Sequence, residues 1–464
     1  MPNTEEYLAI NENSTVNTAN NTMLTFSLKV DTASYRNAVR YINSGSLPPA
    51  DAVRTEEFIN YFSYDQYLPE SDGPFSIYAE IGKSIFDSNK YLAFVRVKAM
   101  DIDRDILAPS NLTFLIDTSG SMNSYDKLPL LKSAFSLLTE TLTEDDTVSI
   151  VTYAGRSAVV LDSISGDRKS EITRAINSLE SGGSTAGGEG ILTAYALAEK
   201  NFRPDANNRV ILATDGDFNV GVSSTEELEL LISRKRESGI YLSVLGFGMG
   251  NLKDNMMETL AKNGNGNYSY IDTLSEAKKV LVDELASNLY VIADDVKAQV
   301  EFNPALVSSY RLIGYENRAL SNRDFDDDRK DAGEIGVGAD VVVMFELELN
   351  DQARGLKYQA LDPQPEGAEF ADELFEVRIR YKEPGSSVSS LITQPVKTAR
   401  IYDENSADFE FASAVAGFAH LLRNSEHAGD VTISQVISKA QGNLGEDRNG
   451  YRQEFVYTAQ KLSY

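Results

Sequence analysis

The sequence predicts an α/β protein: a doubly wound, mostly parallel sheet inserted in a flanking β-sandwich and followed by a C-terminal helical segment. Three observations predict it. Between residues 109 and 291, short apolar runs alternate with amphipathic helical stretches, the pattern of a parallel sheet covered by helices on both faces. On either side, runs of alternating polarity read as antiparallel strands, and the chain closes on helical periodicity. At 464 residues the chain exceeds one ordinary core.

In chain order, "MPNTEEYLAINENSTVNTANN" opens a polar tether, residues 1–22. It has neither a charged n-region nor an apolar core, so it is not a signal peptide; a targeting segment removed ahead of it fits the sequence as well. Residues 23–108 form an N-terminal flank, with strands at 24–30, 74–81 and 91–99 and helices near 33–43 and 50–62. Three strands are too few to close a sandwich, so this flank is expected to share sheets with the C-terminal one.

Residues 109–291 are the central domain. "NLTFLID" (111–117) is a buried strand, and "KLPLLKSAFSLLTETL" (127–142) is a helix whose proline is tolerated near its start. Strands at 146–154 and 157–163, a helix at 168–179 and, after a Gly-rich loop, a helix at 189–202 follow. "RVILATD" (209–215) is a second buried strand ending on aspartate. "STEELELLISRKRESG" (224–239) opens on a capping signal and closes on glycine. Strands at 240–248 and 267–272 and helices at 251–264 and 274–289 complete the domain. Residues 292–405 read as a β-sandwich and residues 406–464 as helices at 407–423, 431–441 and 449–463.

Composition excludes several classes of function. Seventy acidic against 43 basic side chains give a net charge of −27, which repels nucleic acid and anionic lipid. With no cysteine, there are no disulfides, thiolate metal sites or cysteine nucleophiles. No apolar run reaches the ~18 residues of a membrane span.

Ligand sites of doubly wound sheets lie beyond the carboxyl ends of the strands. Three polar clusters fall there: Asp117-Thr118-Ser119-Gly120-Ser121, "SGGSTAGGEG" (181–190) with Thr185, and "TDGDFN" (214–219) with Asp215. Two carboxylates and three hydroxyls suit a hard cation: Mg2+, Mn2+ or Ca2+.

Asp117-x-Ser119-x-Ser121, with Thr185 and Asp215 downstream, resembles the metal-ion-dependent adhesion site of von Willebrand factor type A domains. The resemblance implies that Ser119 and Ser121 bind the metal directly, that Thr185 does so in the open form, and that Asp117 and Asp215 act largely through water. "FSLKVDTASYRNAVRYINSGSLPPADAVRTEEFINYF" (26–62) and "VEFNPALVSSYRLIGYENRAL" (300–320) are similar to a bacterial family that carries this domain between a conserved N-terminal region and a C-terminal domain of unknown function. Many of its members look like envelope lipoproteins. The implied function is a non-enzymatic adhesion module. Its partner is a protein presenting Asp or Glu to the metal, at the cell envelope or outside the cell, with a lipid anchor on a segment outside this chain as one form of it. A cytoplasmic address stays open.

Other readings meet specific obstacles. "DTSG" in an aspartic protease would carry its glycine one residue earlier, and a phosphotransfer site would place a second carboxylate where Ser119 stands. A serine hydrolase needs a base, and the two histidines, His420 and His427, lie in the last quarter on or beside an apolar helical stretch. A metal-assisted hydrolase would have only Glu189 or Asp217 to serve as base near the motif. A scaffold docking on a partner ATPase is a further alternative. Asp324, Asp326 and Asp328 have calcium-loop spacing, but Arg329 occupies the position of the turn glycine and Ile335 the twelfth position, so a solvated acidic loop is the default and a second calcium site the alternative.

Overall fold

A computed structural model describes residues 5–66, 68–69, 71, 73–103, 106–183, 187–216, 225–330, 332–350 and 370–463. The chain forms two units, Met1–Leu8 with Ile102–Tyr290, and Ala9–Asp101 with Val291–Tyr464.

The first unit is the doubly wound domain. Its strands are β1 (Ser110–Asp117), β2 (Thr147–Tyr153), β3 (Ser157–Ser165), β4 (Asn207–Thr214), β5 (Ile240–Phe247) and β6 (Tyr268–Ile271). They lie in the order β6-β5-β4-β1-β2-β3, and all neighbours are parallel except β2 and β3. β1 is central, and all its residues are buried, which is why "NLTFLID" carries an apolar run instead of an alternation. Helices α1 (Leu128–Thr141), α2 (Lys169–Asn177), α3 (Gly187–Lys200), α4 (Thr225–Glu237) and α5 (Asp254–Asn263) connect the strands. Phe114 of β1 stacks on Phe135 of α1, with ring centroids 4.5 Å apart. A Cβ on Gly190 would lie 2.7 Å from the Cβ of Tyr153, so α3 presses closely on the end of β2.

The helix expected at 274–289 is interrupted. Lys279–Asp283 forms a π turn between Leu274–Lys278 and Leu285–Leu289, closed by the Glu284 N–H on the Lys279 carbonyl at 2.8 Å. The wider turn keeps Val280, Leu281, Leu285 and Leu289 all in the core.

The second unit packs two antiparallel sheets and a layer of helices. One sheet has the order Val16–Asn17, Val307–Ile313, Asp340–Leu349, Tyr91–Ala99, Phe75–Lys83. The other runs Ala319–Leu320, Met23–Ser27, Val291–Phe302, Glu373–Lys382, Ser389–Lys397. Both sheets contain strands from before and after the doubly wound domain; Phe94 pairs with Met344 and Phe26 with Ala298. Along Asp340–Leu349, Val341, Val343 and Phe345 face the sandwich core, while Val342 and Met344 face the helices Ala33–Asn43, Ala407–Arg423 and Tyr451–Gln460. The period-two side-chain alternation of a strand feeds both cores.

Two expectations on this unit are corrected. The helix expected at 50–62 is a 3-10 turn, Ala50–Ala52, and a short helix, Thr55–Ile59. Val53 is extended between them, and the Arg54 N–H is taken by the Ser34 hydroxyl at 2.8 Å. The expected tether is not free over its length: Val16–Asn17 pairs with Ser309–Tyr310, the Thr18 hydroxyl donates to the Val307 carbonyl at 2.7 Å, and the Asn13 amide to that of Gly314 at 2.7 Å. The polar side chains that made the segment look solvated serve the unpaired edge of a sheet. In the first unit, the Glu6 N–H donates to the Leu252 carbonyl at 3.1 Å, and the Gly250 N–H to the Glu5 carboxylate at 2.8 Å.

Glu56 is buried in the second unit, with Oε2 lacking a hydrogen-bond partner. Burial pushes its carboxyl up to about 7, and the charge of Glu316 adds to the effect. The folded state thus holds this proton more tightly than the unfolded chain. The associated stability is present below the ordinary pKa of 4.5 and is lost as pH rises through about 7. Urea unfolding at about pH 5 and about pH 8 should show wild type losing on the order of 2 kcal/mol relative to Glu56→Gln at the higher pH.

Candidate metal centre

Strand register builds the site. β1 and β4 are parallel neighbours with Ile116 opposite Ala213, so Asp117 ends level with Thr214 and Asp215 follows. The sheet order reverses between these two strands, which makes this the crevice where doubly wound folds bind ligands.

Asp117 is fully buried. Its Oδ1 accepts the Ser119 N–H at 2.8 Å, and its Oδ2 accepts the hydroxyls of Tyr153 and Thr214, each at 3.2 Å. Burial pushes its carboxyl up to about 6 against the pull of the Ser119 N–H, and the Asp215 charge adds to the push. Ser119 is buried and Ser121 exposed, yet their Oγ atoms lie 2.9 Å apart. Oxygens on adjacent corners of a Mg2+ octahedron with bonds of about 2.0–2.1 Å are about 2.9 Å apart. The two hydroxyls hydrogen-bond to each other at a distance that also matches this spacing, and the described donors are all hard oxygens, so their chemistry fits such an ion.

The glycine-rich loop closes over the motif: the Gly182 N–H donates to the Thr118 carbonyl at 2.8 Å and the Gly120 N–H to the Gly183 carbonyl at 3.1 Å. Thr185 and Asp217 lie outside the described residues. Glu189 sits in the first turn of α3 and accepts the Ser157 hydroxyl at 3.0 Å.

Sequence reasoning missed Lys127. Its ammonium donates to buried Asp215 at 2.8 Å and lies 3.5 Å from Asn251 Oδ1. A signal was available: Lys127 is the N-cap of α1, an end where the helix dipole disfavours a cation unless a carboxylate holds it.

The remaining candidates serve structure. His420 is buried against Phe86, with ring centroids 4.6 Å apart, and burial holds its pKa well below the usual histidine range. In the acidic loop Asp324 caps the turn Asn322–Phe325, Asp327 meets Arg329 at 2.9 Å, and Asp328 meets Arg380 at 3.0 Å. Of the three candidate carboxylates, Asp324 is thus taken up by a cap and Asp328 by a cation, while Asp326 is exposed, 3.6 Å from Arg380. Among the described residues, no group of three or more His, Asp or Glu side chains could hold a metal. Among them, too, no helix is long and apolar enough to cross a membrane.

The uncharacterised protein YfbK of Escherichia coli (strain K12) is 44% identical to the chain over 98% of its length, and the match covers 80% of that relative. The chain belongs to the YfbK family. Residues 287–463 match the YfbK C-terminal domain, 111–284 the von Willebrand factor type A domain, and 1–93 a family described as von Willebrand factor. Inter-alpha-trypsin inhibitor heavy chain H3 of Homo sapiens is 28% identical over 34% of this chain and 19% of that protein. Among solved structures, a von Willebrand factor type A protein from Catenulispora acidiphila aligns over 84% of this chain and 92% of that one, with 15% identity and a TM-score of 0.46. The YfbK family thus carries a domain of a type that works in protein interaction and adhesion and is typically not enzymatic.

Gly216 sets the last constraint on the site. Its φ is +102°, and a Cβ there would lie 2.7 Å from the backbone of Asn251, Leu252 and Lys253. Gly216→Ala should lower stability by roughly 2–4 kcal/mol in denaturant unfolding.

Proposed function

We propose that the chain binds a protein partner through a divalent cation held by Asp117, Ser119, Ser121, Thr185 and Asp215, with an Asp or Glu carboxylate of the partner completing the coordination. The 2.9 Å separation of the two serine hydroxyls beside a pair of buried carboxylates carries this reading. Mg2+ is the expected ion, and Mn2+ and Ca2+ share its preference for oxygen. Neutral direct ligands leave such an ion much of its charge. That charge draws in an acidic partner that a surface at −27 otherwise repels. Binding is favoured over catalysis because Glu189 is bonded to Ser157 and Asp117 is enclosed by three donors.

Calorimetric titration with Mg2+ should give saturable binding to wild type and at least about a tenfold loss of affinity in Asp117→Asn, which keeps the shape and removes a ligand charge. Equal heats from both proteins would sink the assignment. A pull-down from envelope extracts should retain a partner in Mg2+ and release it in EDTA. We place the protein at the cell envelope, and fractionation that recovers it only from the cytosol would refute that address.

A further inference from the structure

Lys127 occupies an unfavourable position for a cation. It is nearly buried, it caps the N-terminal end of α1 without a side-chain cap bond, and its stem passes Gly248 so closely that a Cβ there would lie 2.2 Å from Lys127 Cε. Both burial and the helix dipole oppose an ammonium in this place. The 2.8 Å bond to Asp215, itself fully buried, offsets them.

We infer that Lys127 is the internal counter-cation of the metal centre: it neutralises Asp215 when no divalent ion is bound and thereby sets how tightly the ion is held. The inference rests on the metal reading above. Without Lys127, the crevice would present the two carboxylates of Asp117 and Asp215 to each other in a low-dielectric environment. With it, one of the two charges is already cancelled. The apo site is stable in consequence, and an incoming cation meets about half the negative charge it would otherwise find. Affinity of an oxygen-ligand site rises with the charge of its ligands, so Lys127 lowers affinity and keeps binding reversible. A lysine that merely stapled α1 to the end of β4 would support stability equally with and without metal, and its loss would not tighten binding.

The test is a Mg2+ titration of the full chain, followed by calorimetry and by thermal melting in EDTA and in excess Mg2+. Lys127→Met should bind Mg2+ about tenfold or more tightly than wild type, while Lys127→Arg, which keeps the charge, should stay within about threefold of it. Lys127→Met should also melt lower than wild type in EDTA and recover in excess Mg2+. Unchanged or weaker Mg2+ affinity in Lys127→Met overturns the inference, as does failure of that variant to fold in excess Mg2+. The metal reading survives either outcome provided wild type binds and Asp117→Asn binds at least about tenfold more weakly. Absence of Mg2+ binding in every protein tested overturns both.

Discussion

The Asp117 carboxylate is the fixed point of the first unit. Four elements converge on it: β1 carries it, the motif loop gives the Ser119 N–H, β2 the Tyr153 hydroxyl, and β4 the Thr214 hydroxyl. A fully buried carboxylate is costly unless its acceptor sites are filled, so the parallel pairing on both sides of β1 and this anion require each other. A slip of one residue between β1 and β4 would turn Thr214 to the other face of the sheet and leave Asp117 one donor short. The arrangement of these side chains is therefore built into the register of the sheet. Among the described motif residues, Asp117, Ser119 and Asp215 are buried and Ser121 faces water.

The second unit answers a different constraint. Asp340–Leu349 and Tyr91–Ala99 are buried on both faces, one row of side chains toward the partner sheet and the other toward the helices. That explains the uninterrupted apolar run "VVVMF". In the outer strand Ser389–Lys397, by contrast, Val396 is the one fully buried residue. The helix Ala33–Asn43 lays Tyr35, Ala38, Val39 and Ile42 on the same core as the C-terminal helices, although it is far from them in sequence.

The doubly wound sheet and its strand-end clusters were legible because buried parallel strands leave uninterrupted apolar runs, and the aspartates that close two of those runs break the pattern visibly. The sharing of sheets was legible because three strands cannot bury a sandwich face alone. What escaped were features fixed by tertiary partners. In the sequence Lys127 reads only as the first residue of a helix, since its acceptor is eighty-eight positions away. Leu274–Leu289 kept helical periodicity in sequence while one wide turn reset its phase. The segment 9–18 had the polarity of a tether, and nothing local shows that Thr18 and Asn13 meet backbone carbonyls about 290 and 300 residues on.

The same N-terminal residues give the centre a mechanical neighbour. Glu5 and Glu6 are fastened to Gly250, Leu252 and Lys253, and that loop backs directly on Gly216 and offers Asn251 toward Lys127. A load applied along the chain at residue 5 would reach the floor beneath Asp215 before it reached any strand of the sheet. The sheet, with its continuous ladders, would resist far more force than these few bonds. Tension at residue 5 would therefore bear, through these few bonds, on the backbone that packs against Gly216 beside Asp215.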